Sequence, residues 1–222
     1  MSLERYQAKR DFTRSREPKG RATRPAKSSS NKIIFAVQKH AATRLHYDFR
    51  LEIGGVLKSW AVPKQFPMAR SEKRLAMQVE DHPREYGGFE GIIPRGQYGG
   101  GTVMLWDAGI CEVLETTPDA ALREGKLVLR LEGQKLKGHW TLVHLRARDD
   151  RSENAWLLIK SAETLRPISK REDDRSLLSG RTMKQIDDDA TWQSNGKRTS
   201  APARKRPARK GVRTKARSDR SI

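Results

Sequence analysis

Residues 45–53 read Leu45-His46-Tyr47-Asp48-Phe49-Arg50-Leu51-Glu52-Ile53, and apolar and polar side chains alternate throughout. Successive side chains of a β-strand point to opposite faces, so this period of two predicts a strand. One face is apolar, and the other carries His46, Asp48, Arg50 and Glu52. Imidazole and carboxylate groups bind metals, and a guanidinium binds anions, so this polar face predicts a functional site.

A second stretch has a similar alternation: Arg74-Leu75-Ala76-Met77-Gln78-Val79-Glu80-Asp81-His82. Read as one strand, it places Arg74, Gln78, Glu80 and His82 on a single face. Each ionisable residue alone has an ordinary explanation, such as a solvent-facing arginine, but their joint occurrence on two strands favours function. The two faces, with His40 from the preceding segment, predict one polar groove that contains His40, His46, Asp48, Arg50, Arg74, Glu80 and His82.

Strand patterns dominate the rest of the central region. The predicted strands cover residues 33–38, 45–53, 56–62, 74–79, 102–106, 109–114, 126–131, 140–145 and 156–160, and turn residues separate them. Two short helices are predicted at 118–124 and 182–188. Many short, regularly punctuated strands are typical of a barrel or sandwich, so we predict a mainly β fold, a small antiparallel β-barrel with a polar groove.

Positive charge is concentrated at the two ends of the chain. The net charge of the 222 residues is +19, and residues 194–222 carry 11 Lys/Arg against 1 Asp/Glu. We predict a basic N-terminal arm over 1–32 that docks in part through Leu3, Tyr6 and Phe12, a β-barrel domain over 33–193, and a disordered basic tail over 194–222. Such tails neutralise nucleic-acid phosphates without reading sequence, although a solubility tail is the alternative.

The chain has one cysteine, Cys111, which excludes an internal disulfide and is expected to be a packing residue. No apolar run approaches the ~20 residues of a membrane span, and no secretory signal precedes the barrel. We therefore expect a cytoplasmic, nucleoid-associated protein that does not bind membranes and is a monomer.

Two metal-dependent chemistries fit the polar groove. The pair His46 and Asp48 matches the His-x-Asp start of a non-haem Fe(II) oxygenase triad, with His139 or His144 as a distant third ligand. Alternatively, a divalent-metal phosphoesterase would use the same ligands to polarise a phosphoryl oxygen. The surplus of cations near the groove favours phosphate: Arg50, Lys64, Arg74 and His82. A non-catalytic β-barrel that binds nucleic acid remains a third reading.

The run from Phe35 to Leu51, FAVQKHAATRLHYDFRL, closely resembles the 3′-phosphoesterase domain of bacterial DNA ligase D. The resemblance continues through 59–64, 79–83, Tyr86, 89–91, 93–94, 96–99 and 101–103, and extends less strongly over about 3–192. The fold that it implies is a small β-barrel with a crescent-shaped polar groove. The activity that it implies is trimming of DNA 3′ ends, where a ribonucleoside is removed first and the remaining 3′-phosphate second.

Residue roles follow from the resemblance, position by position. The metal ligands would be His40, His46 and Asp48, and the usual metal would be manganese. The phosphate-binding residues would be Arg50, Lys64, Arg74, His82 and Tyr86. His82 would act as proton donor or transition-state partner, with Arg50 and Glu80 as further catalytic groups.

Two departures from the family accompany this resemblance. Arg95 stands where an acidic residue is expected in many relatives, and it is either a further phosphate contact or a solvated loop residue. The ligase and polymerase modules are absent from the sequence, which predicts a stand-alone version. Its expected partners are DNA or DNA/RNA 3′ ends and, beyond these, a DNA ligase or an end-binding repair protein.

Overall fold

The computed structural model describes residues 3–20, 30–145 and 153–188, all within a compact unit that spans Met1–Ala190. Nine strands form the fold: β1 Lys32–Ala41, β2 Leu45–Ile53, β3 Val56–Pro63, β4 Lys73–Gln78, β5 Gly91–Ile93, β6 Gly101–Leu114, β7 Lys126–Gly133, β8 Lys137–His144 and β9 Ala155–Lys160. The helices in these ranges are short: α1 Glu4–Ala8, α2 Pro118–Glu124, α3 Lys170–Asp173 and α4 Met183–Asp188, with a 3₁₀ turn at Arg84–Gly88.

Eight of the strands close into an antiparallel barrel. Their order is β1-β2-β3-β4-β9-β8-β7-β6, and β1 pairs with both β2 and β6. The short strand β5 is paired with β6 outside this ring. Closure removes the unpaired edges that an open sheet would expose. The prediction of a mainly β fold built on a small antiparallel barrel is confirmed.

The barrel interior contains the apolar face of β2 predicted from the alternation. Tyr47, Phe49, Leu51 and Ile53 are each at most 1% exposed, whereas Leu45 at the strand start is 46% exposed. Phe49 packs edge-to-face on Phe66 with ring centroids 5.4 Å apart. Because side chains alternate along a strand, burial of this face directs the polar face of β2 to the outside of the barrel wall.

The turn predicted between 106 and 109 is wrong, because β6 continues through it. A bulge accommodates the extra residue where the pairing with β1 shifts between Val37 and Gln38. The Asp107 carboxylate is buried and accepts backbone N–H bonds from Gln134, Lys135 and Leu136 in the β7–β8 turn. Gly109 allows close strand approach, because a Cβ there would lie 2.1 Å from the carbonyl oxygen of Glu132.

Residues 3–20 of the arm pack on the outside of the barrel. The Tyr6 side chain is fully buried, and its ring lies 5.0 Å from His82 and 5.9 Å from Tyr86. Its hydroxyl donates to the Pro18 carbonyl at 2.6 Å. Residues 3–20 therefore lie next to His82 and Tyr86 of the predicted groove.

Three further sequence predictions concern Cys111, membrane spans and the C-terminal tail. Cys111 is buried in the core, and burial raises the pKa of its thiol, as a packing residue requires. The parts of the chain that the structure describes contain no helix long and apolar enough to span a bilayer. The predicted tail 194–222 lies outside the described residues, so its disorder and the boundaries at 32/33 and 193/194 stay predictions.

Candidate metal and phosphate site

Strands β1 and β2 bring the three predicted metal ligands together. His40 lies opposite His46, and Gln38 lies opposite Asp48, so all these side chains share the outer face of the barrel wall. Each of His40, His46 and Asp48 offers a ligand atom, and these atoms lie within 4.8 Å of one another. Residues six and eight positions apart thus meet because antiparallel pairing aligns them.

The donor atoms of this cluster suit a divalent transition metal. Nδ1 of His46 lies 2.9 Å from the Arg44 carbonyl oxygen, so it carries the proton and leaves Nε2 free as a ligand. That Nε2 lies 3.5 Å from Asp48 Oδ1. Nε2 of His40 is buried and has no hydrogen-bond partner among the described residues. Two imidazoles and one carboxylate fit manganese, iron or zinc, and a bound ion would satisfy the unpaired nitrogen.

Arg50 lies beside the ligand cluster and is held rigidly. Its guanidinium donates to Gln38 Oε1 at 2.7 Å, Ser59 Oγ at 2.8 Å and Asp48 Oδ2 at 3.1 Å. Burial alone would raise the pKa of Asp48, but the Arg50 charge and the two imidazoles outweigh it and hold that pKa below its ordinary value. Arg50 therefore fixes the carboxylate in its charged form, and its remaining N–H groups are available to an anion.

Strand β4 ends at Gln78, earlier than the alternation over 74–82 predicts. The prediction that Arg74 and His82 lie on the same face is wrong. Asp48 pairs with Ala61 and Ala61 with Met77, so these residues face the site. Arg74 lies three residues before Met77 in a regular strand and therefore points to the opposite face. There its side chain donates to Glu72 and to the Lys73 carbonyl. Its role in phosphate binding stays a prediction that no contact supports.

His82 reaches the site face through a change of register. Gln78 lies opposite Trp60, but His82 lies opposite Leu57, one residue out of step with the strand before it. A shift of one residue turns a side chain to the other face of a sheet. Irregular backbone between Gln78 and His82 thus brings His82 to Arg50, whereas a regular strand would have separated them.

The His82 ring is neutral in its surroundings. Nδ1 lies 2.8 Å from the Glu80 carbonyl oxygen, and Nε2 lies 3.1 Å from Nη2 of Arg10. Because an arginine can only donate, Nε2 accepts and Nδ1 carries the proton. Burial first, and then the Arg50 and Arg10 charges, lower the pKa of His82 well below its ordinary value.

We predict that His82 keeps the neutral Nδ1–H tautomer from pH 8 down to about pH 6, because its pKa lies below the ordinary value of about 6.5. Imidazole ¹⁵N shifts of His82 should stay constant across this range. An imidazolium signal from His82 at pH 6 would contradict the assignment.

Arg10 is a site residue that the polar patterns did not reveal. Its guanidinium donates to Glu17 at 2.9 Å and Glu80 at 3.0 Å and lies 4.0 Å from the centre of the Tyr6 ring. The only sequence signal was the weaker part of the resemblance over about 3–192, because the contact with Glu80 joins residues 70 positions apart. The docked arm thus adds a second buried arginine to the site.

Tyr86, which the resemblance predicts to bind phosphate, lines the same cavity as Arg50 and His82. Its ring lies 4.7 Å from His82 and 4.7 Å from the Arg50 guanidinium, and its hydroxyl donates to Glu17.

Lys64 follows β3 and does not line the same cavity, so its phosphate role stays a prediction. Glu52, for which the sequence indicated no role, pairs with Arg84 at 2.7 Å.

A cavity of about 210 Å³ unites these groups. Its functional lining residues are Arg10, His40, His46, Asp48, Arg50, Glu80, His82, Tyr86 and Tyr98. Potential metal ligands occupy one side, and two arginines and a neutral histidine occupy the other. This arrangement can hold a cation and an anion in contact, which is what hydrolysis of a phosphate ester at a metal requires.

The distant third ligand considered for an oxygenase triad is not part of the His40, His46 and Asp48 cluster. His139 and His144 lie on β8, which is not a neighbour of β2 in the barrel. His144 instead contacts the Glu153 carbonyl and the Trp156 ring, and His139 lies 3.9 Å from Glu163. The third candidate ligand is His40, so the predicted use of His139 or His144 is wrong.

The chain is similar to proteins of bacterial end joining. The multifunctional non-homologous end joining protein LigD of Pseudomonas aeruginosa is 45% identical over 186 residues, which cover 82% of this chain and 22% of that protein. The multifunctional non-homologous end joining DNA repair protein LigD of Mycobacterium tuberculosis is 43% identical over 141 residues, 64% of this chain and 18% of that protein. The chain therefore spans about a fifth of the length of these relatives.

A family comparison localises the similarity to the site. Residues 38–144 match the family described as the DNA Ligase D 3'-phosphoesterase domain. That range includes the candidate metal ligands, Arg50, His82 and Tyr86, and it excludes Arg10. Residues 38–144 of the chain therefore belong to the DNA ligase D 3′-phosphoesterase domain family.

Proposed function

We propose that the protein is a manganese-dependent phosphoesterase that trims 3′ ends of DNA during repair by end joining. The observation that carries the proposal is the cavity in which His40, His46 and Asp48 face Arg50, Arg10 and His82. Its substrates would be strands that end in a ribonucleotide or in a 3′-phosphate. In the first case a nucleoside leaves, and in the second inorganic phosphate leaves.

The candidate ligands would hold the metal through two nitrogens and a carboxylate oxygen. When bound, the metal would act as a Lewis acid on a phosphoryl oxygen. Arg44 supports this set through its carbonyl, which orients the His46 ring. Asp48 is kept ionised by Arg50, so the carboxylate is ready to bind a cation at neutral pH.

Arg50 and Arg10 would bind the non-bridging phosphate oxygens. Both guanidiniums are nearly buried, with side chains 2% and 5% exposed, and both are oriented by acceptors on neighbouring elements. Charge-assisted bonds from fixed donors in a water-poor cavity stabilise the negative charge of a pentavalent transition state strongly. The Tyr86 ring supports Arg50 and restricts it to this orientation.

His82 would be the group that exchanges a proton with the leaving oxygen. In the described state its Nε2 accepts from Arg10. A phosphate anion that takes this bond from Arg10 would also add negative charge beside the ring and raise the pKa of His82. His82 would then be protonated when substrate binds, and Glu80 would keep the ring and Arg10 in place through its carbonyl and carboxylate.

The test is a product assay with a labelled primer–template. With manganese, a primer ending in one ribonucleotide should lose the nucleoside and then the 3′-phosphate, leaving a 3′-hydroxyl, whereas a chelator should stop both steps. Other divalent metals in parallel reactions identify the ion that supports turnover. DNA binding without a metal-dependent product at either kind of end would favour the non-catalytic reading instead.

Location and partners belong to the same proposal. The relatives are named for non-homologous end joining, so we place this chain at DNA ends in the cytoplasm, beside a ligase or an end-binding repair protein. Co-purification of a ligase with the tagged protein from cells with broken DNA is the expected result. The monomeric state predicted from the sequence can be measured by light scattering in the same preparation.

A further inference from the structure

The catalytic cavity is flanked by two others, one on each side. The first, here called the upstream cavity, shares Ala42, Ile93 and Gly99 with the catalytic cavity. The second, here called the Tyr98 cavity, shares Val79, Glu80 and Tyr98 with it. The three therefore form one continuous depression, with the candidate metal ligands in its middle. A strand bound across that centre would enter both flanking cavities.

Free positive charge is found in the upstream cavity. This cavity of about 700 Å³ is lined by Arg95 and Lys184, whose side chains form no hydrogen bond or ion pair with the rest of the described chain. Asp187, its one acidic lining residue, accepts a hydrogen bond from Thr102 at 2.6 Å. Two exposed cations against one carboxylate suit a ligand that carries repeated negative charge.

Charges in the Tyr98 cavity are balanced. Its volume is about 430 Å³, and its charged lining residues are Arg5, Lys9, Glu80 and Asp81. Lys9 lies 3.1 Å from Glu80, and Asp81 lies 2.7 Å from Lys58. A cavity of this size falls within the usual range of small-molecule sites, about 300–1,000 Å³.

Aromatic and amide groups also line the Tyr98 cavity. The Tyr98 ring is 48% exposed, and Lys9 and Arg10 lie against it at 4.4 Å and 5.6 Å from its centre. The amides of Gln78 and Asn154 complete the lining. An exposed ring can stack on a nucleobase, and amides can bind base edges or ribose hydroxyls.

We propose that the cleaved strand has a fixed direction across this depression: its phosphates lie along Arg95 and Lys184, and its terminal nucleoside stacks on Tyr98. The reason is the asymmetry of a 3′ end. Upstream of the reacting phosphate every nucleotide adds a negative charge, whereas downstream there is one nucleoside with none. The inference rests on the proposed function and gives Arg95 the phosphate contact that its sequence position left open.

The loop between β5 and β6 separates the two flanking cavities and holds their shape. Gln97 and Gly100 close consecutive turns through backbone bonds to Pro94 and Gln97. At Gly101, a Cβ would lie 2.3 Å from the Ala41 carbonyl oxygen, so the end of the loop is packed directly on β1. Arg95 and Tyr98 therefore project from one braced loop into different flanking cavities.

The upstream arm of the test uses Arg95→Glu/Lys184→Glu with primers of about four and about sixteen upstream nucleotides, lengths that span known single-strand site sizes. The double variant should raise KM for the long primer about tenfold and change kcat little. It should also reduce the salt dependence of binding measured by fluorescence anisotropy. The short primer should be affected less. Arg123→Glu, an exposed charge reversal on α2, is the matched control.

The downstream arm compares nucleoside release with phosphate release. Tyr98→Ala should lower the ratio of the two rates by about tenfold, because only the ribonucleotide end places a base on the ring. Tyr98→Phe should restore the ratio, since it keeps the ring. Equal loss of both activities in Tyr98→Ala would overturn the stacking role.

Two results would overturn the proposed direction of the strand. One is a change in the ratio of nucleoside to phosphate release in the Arg95→Glu/Lys184→Glu variant. The other is a change in the dependence on primer length in Tyr98→Ala. If the double variant and Tyr98→Ala both behave like Arg123→Glu, the strand does not pass through either flanking cavity. These outcomes leave wild-type cleavage in place, whereas a wild type without metal-dependent products would refute the proposed function itself.

Discussion

His46→Ala is expected to reduce metal-dependent release of nucleoside and phosphate by about a thousandfold or more, because it removes one of the three proposed metal ligands. The His46 side chain is 23% exposed at the start of β2, so the free energy of unfolding should change by less than about 1 kcal/mol. Product release and manganese binding by calorimetry measure the two effects.

The matched control for this change is His139→Ala. His139 lies on β8 outside the cavity, and it was a candidate third ligand in the oxygenase reading. The control should bind manganese and cleave 3′ ends like the wild type. Substantial activity in His46→Ala, or loss of manganese binding in His139→Ala, would refute the ligand assignment.

A change at Asp48 tests the same ligands less cleanly. Asp48→Ala would leave Arg50 buried without its carboxylate partner. An unpaired buried charge costs about 3–5 kcal/mol, so loss of activity in this variant would combine loss of the metal with loss of stability. The arrangement of Asp48 beside Arg50 therefore makes His46 the better position for the experiment.

Arg50→Lys is expected to lower kcat/KM by about a hundredfold to a thousandfold while the net charge stays the same. Arg50 holds three acceptors at fixed angles and lies against the Tyr86 ring. A lysine ammonium cannot reproduce that planar fork, so the phosphate would lose oriented donors. Urea unfolding should show a loss of about 1–3 kcal/mol from the acceptors left unpaired.

Arg123→Lys is the control for this second change. Arg123 is exposed on α2, and the same substitution there should alter neither unfolding nor cleavage. Full activity in Arg50→Lys would mean that charge alone is sufficient at this position. The proposed geometric role of the guanidinium would then be incorrect.

The fold and half of the site could be predicted from local sequence. The alternation over 45–53 specified a strand with one buried face, and burial of Tyr47 and Phe49 directed His46 and Asp48 to the other side. The same period of two failed over 74–82, where the chain leaves the regular pairing after Gln78. A pattern read on one strand assumes a constant register, and an irregularity between residues 78 and 82 breaks that assumption.

The sequence by itself determined the barrel, the strand that carries His46 and Asp48, and the family, because side-chain alternation and a motif are local properties. Only the tertiary structure decided that Arg10 lines the cavity, that Arg74 points to the opposite face of β4, and that Glu52 pairs with Arg84. These outcomes depend on how the arm docks and how neighbouring strands are registered. Contacts between residues far apart in the chain are set by packing of the whole domain, so no local pattern encodes them.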